Sequence, residues 1–192
     1  MSETEELQRA RGGDRAAYEA LFAGVAERLL LYLEVRLGGL RSRIDACDAL
    51  QETFLAAHRS FGSFQGRTRA AFRAWLFTIA DHRLGELAAH HGAQKRGAGR
   101  EVPEIVEQLR ASRTGPATAC ARLEQEERLR AALAELDDEQ REAVLLHHFH
   151  GLTQDDTAAR LGRTVKQVRL LLAKARYRLG SALDDPAGRP GA

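Results

Sequence analysis

The stretch from Gly151 to Leu179 constrains the chain most, because it spells out two helices and the turn between them residue by residue. Thr153 stands where an N-cap belongs, Asp156 follows three positions on in the manner of a capping box, and Gly162 supplies the glycine that ends a helix. Thr164 then caps a second helix, with Gln167 at the third position after it. Val165, Val168, Leu172, Ala175 and Leu179 recur at spacings of three and four, which lays them on one helical face. Between Arg160 and Leu183 the charged residues are Arg160, Arg163, Lys166, Arg169, Lys174, Arg176 and Arg178, with no Asp or Glu. A basic solvated face on an ordinary bundle helix is the plainer account of such charge. Doubled capping around a glycine turn, followed by an unbalanced cationic helix, is instead the signature of a helix-turn-helix that lays its second helix in the DNA major groove.

Composition extends the helical reading to the whole chain. Four prolines, no asparagine, and abundant Ala, Leu, Arg and Glu predict an all-α protein. A length of 192 residues admits one large domain or two small ones. The formal net charge of +2 and pI near 8.7 are too mild to indicate nucleic acid by themselves, but the acid-rich segment 101–142 masks basic stretches on either side of it. No apolar run reaches membrane-spanning length, and the first six residues lack the basic and apolar parts of a signal peptide, so a cytoplasmic protein without a membrane segment is expected. Cys47 and Cys120 are far apart and belong to no CxxC pair, which makes both small packing residues.

Taken in order, Asp14 after Gly12-Gly13 caps a long helix in which Tyr18, Leu21, Phe22, Val25, Leu29 and Leu33 recur at helical spacing, ending near Gly38-Gly39. A second helix starts near Asp45 or Asp48 and runs to about Ser60, with Leu50, Phe54 and Ala57 inward. Asp48, Gln51, Glu52 and Leu55 fall on an adjacent face, where the helix dipole alone accounts for acids near the start. The segment 61–69 is a loop by its glycines and serine, yet carries Phe61, Phe64, Arg67 and Arg69. A helix from Ala70 to Leu84 follows, with Phe72, Trp75, Leu76, Ile79 and Ala80 as a bulky stripe. Aromatics among cations suit single-stranded DNA, where bases stack on rings at about 1–3 kcal/mol each. Trp and Phe at helical spacing are more often core, so Phe72 and Trp75 are expected to be packed, with one exposed edge at most.

Glycines and cations from His90 to Arg100, and Gly, Pro, Ser and Thr from Arg110 to Thr118, mark a domain boundary. The expected organisation is therefore a first helical domain over 1–91, a flexible linker over 92–117, a second domain over 118–183 and a disordered tail over 184–192. In the second domain a helix from Thr118 breaks at Asp137-Asp138, a further helix spans Glu139 to Phe149, and the helix-turn-helix completes four helices. His147 and His150 share a helical face, but no third metal ligand can be named beside them. No set of nucleophile, base and oxyanion donors and no phosphate-binding glycine loop is present in the sequence, so neither catalysis nor a cofactor is expected.

Two DNA-suited helical modules in this order resemble a bacterial sigma factor of the extracytoplasmic-function group in the sigma-70 family. The marks are Gly13-Asp-Arg-Ala-Ala-Tyr-Glu-Ala-Leu-Phe22, Asp48-Ala-Leu-Gln-Glu-Thr-Phe54, Phe64-Gln-Gly66 with Phe72-Arg-Ala-Trp-Leu76, Leu136-Asp-Asp-Glu-Gln-Arg-Glu142, and Gly151-Leu-Thr153 with Leu161-Gly-Arg-Thr164. The resemblance implies a non-catalytic initiation subunit that binds core RNA polymerase, through its β′ clamp and β flap, and promoter DNA. It also admits an anti-sigma factor as a further partner. By position, it assigns Asp48, Gln51, Glu52 and Phe54 to the polymerase β′ clamp. Phe64, Gln65, Arg67, Arg69, Arg73, Trp75, His82 and Arg83 fall to the promoter −10 element, and Arg163, Thr164, Lys166, Gln167, Arg169, Leu170 and Lys174 to the −35 element. His82 stands where the family commonly has Asn, and Leu170 and Leu171 where it commonly has polar or basic residues. A leucine there either touches a thymine methyl or packs inward. The rival reading is a stand-alone helix-turn-helix regulator of duplex DNA. Such proteins usually dimerise to meet two half-sites, and no spare amphipathic helix follows Leu183.

Overall fold

The computed structural model describes residues 3–38, 44–90 and 118–184, which form helices joined by turns, with no strand among the described residues. The chain divides near residue 115 into two compact units. The expected linker at 92–117 lies outside the described residues, as does the expected tail over 184–192 apart from Asp184, which is the last residue of a helix.

The first unit comprises α1 (Glu3–Arg11), α2 (Arg15–Leu37), α3 (Ala46–Ser60), a 3-10 turn (Phe61–Ser63) and α4 (Arg69–His90). Asp14 caps α2 by accepting the Ala17 N–H at 3.1 Å, and Asp45 caps α3 by accepting that of Cys47 at 2.6 Å. The expected stripe of α2 is buried from Leu21 to Leu33. Phe22 on it meets Phe54 of α3 at 5.2 Å and Phe72 of α4 at 5.3 Å between ring centroids. Edge-to-face pairs of this kind contribute about 0.5–1.5 kcal/mol each beyond the apolar area they bury.

Two features depart from the sequence reading. First, a helix precedes Asp14: α1 buries Leu7 and Ala10, too few apolar positions to display a period. Arg9 pairs with Asp14 at 2.6 Å across the Gly12-Gly13 turn, where Gly13 takes a φ of +88° that other residues rarely adopt. Second, α4 runs to His90 instead of stopping at Leu84. Nothing packs against the Gly85 position, and Arg83 and Glu86 pair across one turn at 2.6 Å. Phe77, absent from the expected stripe, is fully buried 4.8 Å from the Tyr32 ring.

The second unit comprises α5 (Thr118–Glu135), α6 (Asp138–Val144), a π turn (Leu145–Phe149), α7 (Gln154–Leu161) and α8 (Val165–Asp184). The caps expected at Thr153, Gly162 and Thr164 are all made, and Asp137, expected only as a break, caps α6. Asp137 accepts from Gln140 N–H at 2.9 Å, Thr153 from Asp156 N–H at 3.1 Å, and Gly162 ends α7 at φ +62°. Thr164 and Gln167 complete a reciprocal box at the start of α8, Gln167 Oε1 accepting the Thr164 N–H at 2.8 Å and Thr164 Oγ1 accepting the Gln167 N–H at 3.3 Å. Leu133, Leu136, Leu145, Leu146, Val168, Leu172 and Ala175 form the core. The expected single helix from Glu139 to Phe149 widens after Val144, so that the His150 N–H reaches the Leu145 carbonyl at 3.0 Å and both Phe149 and His150 turn inward.

Candidate nucleic-acid interface

Between the 3-10 turn and α4 of the first unit, the chain folds over its own aromatic residue. Phe64 is only 6% exposed and lies among Phe61, Phe72 and Trp75, the Trp75 ring being 4.9 Å away. Gly66 sits directly against the Phe64 ring; a Cβ there would overlap the ring and come within 2.8 Å of the Ala71 Cβ, so any other residue has to displace the ring. Thr68 caps α4, its hydroxyl accepting the Ala71 N–H at 3.0 Å. Phe64 is therefore the floor of the loop, and Gln65, Arg67 and Thr68 are what it exposes.

On α4, Phe72 is core, Trp75 is half-buried, and Arg73 holds its Nε buried without a hydrogen-bond partner. Arg28 of α2 lies close enough to Arg73 that burial first, and the second guanidinium next, push its pKa down. His82 and Arg83 line a cleft of about 300 Å3 with Ala56, Arg59, Ser60 and Ile79, and Arg83 Nε there is likewise buried and unpartnered. Arg69, by contrast, turns its guanidinium to Glu6 of α1 at 2.8 Å. The α3 group is split: Asp48 is exposed and Glu52 half-buried, whereas Gln51 is buried and Phe54 belongs to the aromatic core.

In the second unit, 3.6 residues per turn place Lys166, Leu170, Ala173 and Tyr177 on a ridge of α8 opposite the buried Val168, Leu172 and Ala175. Leu170 is 55% and Tyr177 77% exposed, so Leu170 points outward and does not join the core. Gln167 and Lys174 flank the ridge on one side, Arg169 and Arg176 on the other. Arg163 is held by Glu139 at 2.5 Å and Arg169 by Gln154 at 2.8 Å, while Lys166 and Lys174 have no ion-pair partner among the described residues. His147 Nδ1 donates to the Leu152 carbonyl at 2.8 Å, and no group of three metal-ligating side chains converges among the described residues.

Sequence reasoning missed Arg11, Arg28, Arg59 and Tyr177. Tyr177 was legible as the residue two turns beyond Leu170; the three arginines reach these surfaces only through tertiary packing.

A helix-turn-helix with a cationic outward ridge, together with a second helical unit carrying a glycine-pinned loop and a cation-lined cleft, is an arrangement suited to a nucleic-acid-binding protein. Residues 17–89 match the family model for sigma-70 region 2 and residues 126–179 that for sigma-70 region 4. Among curated relatives, the chain is 35% identical over 188 residues to the ECF RNA polymerase sigma factor SigM of Mycobacterium tuberculosis, covering 95% of this chain and 85% of the relative. It is 30% identical over 169 residues to SigD of the same species, covering 87% and 77%. A solved structure of CnrH in complex with the cytosolic domain of CnrY aligns with a TM-score of 0.50 at 26% identity, over 96% of this chain and 99% of that one. The chain belongs to the sigma-70 family, in its extracytoplasmic-function group. It is a sigma factor, which binds core RNA polymerase and directs promoter-specific initiation by recognising −10 and −35 elements. The ordered pair of sigma regions disfavours a stand-alone regulator. No described helix is long and apolar enough to cross a membrane.

Proposed function

We propose that the protein divides its promoter between two domains, 1–91 and 118–183, joined by the linker 92–117. The exposed face of α3, with Asp48 and Glu52, docks on the polymerase β′ clamp, and the buried Gln51 and Phe54 set its shape from behind. The loop over 64–69 and the α4 face with Arg73, Trp75, His82 and Arg83 take the separated −10 strand. There the exposed Gln65 and Arg67 meet the DNA over the Phe64 floor. Arg163, Lys166, Gln167, Arg169, Leu170 and Lys174 on and before α8 read the −35 duplex, with Thr164 holding the helix start. CnrH was solved with the cytosolic domain of CnrY, and a restraining protein partner of comparable kind is part of this reading, as is action in the cytoplasm.

The observation that carries the proposal is the α8 ridge: Lys166 and Lys174, with no ion-pair partner among the described residues, stand one turn before and one turn after an outward leucine, on a helix whose start is fixed by a complete capping box. The test is reconstitution. The purified chain is expected to co-elute with core RNA polymerase and to direct transcripts from a two-element promoter; no binding to core sinks the proposal. Replacing Lys166 with Ala is expected to flatten the log–log salt dependence of −35 duplex binding by about one unit, the signature of one lost phosphate contact. An unchanged slope places Lys166 off the backbone.

A further inference from the structure

Helix α1 ends before residue 17, where the match to sigma-70 region 2 begins, and none of its residues is among the proposed contacts. Leu7 and Ala10 seat it on its own unit, and from there two of its side chains reach opposite ends of the 64–69 loop. Arg11 Nη2 donates to the Phe64 carbonyl and, at 2.8 Å, to the Gly66 carbonyl, with its guanidinium 5.1 Å from the Phe64 ring centroid. Glu6, 6% exposed, accepts from Arg69 Nε at 2.8 Å and from Nη2 as well. A carboxylate buried this deeply is strongly destabilised without its partner, whereas the half-exposed Arg69 guanidinium can fall back on water. Arg11 combines two directed bonds to peptide carbonyls with a ring contact, which the point charge of a lysine does not reproduce.

We propose that α1 is a brace that pre-forms the loop for the −10 strand, with Arg11 fixing its first half and Glu6 its second. Both are positioning residues, and the inference rests on the proposed reading of that loop as the −10 contact. Arg69 then belongs to the brace and not to the DNA. The sign of one substitution separates this from the simpler alternative. If Arg69 meets a phosphate and Glu6 only masks it, removing the Glu6 charge strengthens DNA engagement. If Glu6 holds the loop, removing it weakens engagement even though an anion has been taken away from the DNA.

The test uses the full chain, both free and assembled with core polymerase on a promoter that the wild-type holoenzyme opens. Hydrogen exchange at amides 65–69 of the free chain reports loop order, and permanganate reactivity of unpaired thymines reports −10 opening. Arg11→Ala and Glu6→Gln are each expected to speed loop exchange and to lower opening about tenfold, the factor that follows if the competent loop falls to a tenth of its population. Core affinity and −35 duplex affinity stay at wild-type values, and Arg11→Lys recovers little. Pairing Glu6→Arg with Arg69→Glu is expected to restore part of the loss. Three results overturn the brace: unchanged loop exchange in both variants, Glu6→Gln raising opening while Arg69→Ala lowers it, or core binding lost in step with opening. If the wild-type holoenzyme opens no promoter, the −10 reading falls and takes the functional half of the brace with it, while loop exchange still decides whether α1 orders the loop.

Discussion

In the second unit the proposed contact surface is a row of side chains along the outside of one helix, Lys166, Leu170 and Tyr177, standing opposite a buried row. In the first unit it is a turn whose most prominent side chain, Phe64, faces inward, and whose path is set by Gly66 and by contacts from α1. A substitution on the ridge changes what is touched and leaves the scaffold alone. A substitution around the turn changes the shape being presented, so its effect spreads over every residue the turn displays. On the proposed reading, stability and recognition are therefore separable in α8 and coupled at 64–69.

The harshest way to break that contrast is through the aromatic core. Phe54→Ala, at 3% exposure, is expected to destabilise the first unit by about 3–5 kcal/mol, lowering its melting transition, while −35 duplex binding by α8 survives. Loss of duplex binding in step with melting would erase the distinction between the units. Gly66→Ala follows at about 1–3 kcal/mol, because the added methyl must displace the Phe64 ring. Its mark is promoter opening that fails at temperatures where circular dichroism still reports a folded chain. Leu170→Ala is expected to leave the melting temperature alone and to weaken duplex binding by about 1 kcal/mol if the leucine covers a thymine methyl. Replacing each −35 thymine by uracil in turn then finds one position at which the substitution matters for the wild type and not for the variant. Equal sensitivity of both proteins at all positions would deny Leu170 that contact.

The smallest effect is a pH dependence at the junction of α1 and α2. The bond from the Ala17 N–H, followed by that from Arg9, holds the Asp14 carboxyl below the usual aspartate range. A depressed folded-state value means that the stabilisation is present above the unfolded pKa of about 4 and is lost as pH falls through the folded one. Exchange of α1 amides is expected to quicken below about pH 4 in the wild type and to lose that dependence in Asp14→Asn. A pH response that Asp14→Asn retains would assign it to another carboxylate.

How much of each surface could be read beforehand follows from the same contrast. Thr153, Gly162, Thr164 and the apolar spacing of α8 are local signals, spanning a few residues each, and they place that helix and its ridge before any coordinate is known. The turn has no such record. Arg11 and Phe64 are 53 positions apart and Glu6 and Arg69 are 63 apart, so nothing near either partner announces the bond. The aromatic stripe of α4 was legible as core, but its period could not say that Phe64 would be drawn in beneath Gly66. Nor does any residue in 145–149 signal the π turn, which arises where burying Phe149 and His150 together outweighs regular helix geometry.

The capping box at the head of α8 carries a last consequence, in the chemistry of base edges. Gln167 Oε1 already accepts from both the N–H and the hydroxyl of Thr164, at 2.8 and 3.0 Å. What remains to face outward is the amide NH2, two donors and no acceptor. The paired recognition of adenine by glutamine needs the oxygen for N6 and the nitrogen for N7, whereas guanine presents only acceptors at O6 and N7. If Gln167 meets base edges as proposed, the bond that starts the helix leaves it only donors to offer, which suit guanine N7 and O6 or adenine N7. Any base whose recognition requires the glutamine oxygen has to undo a cap worth about 1 kcal/mol to obtain it.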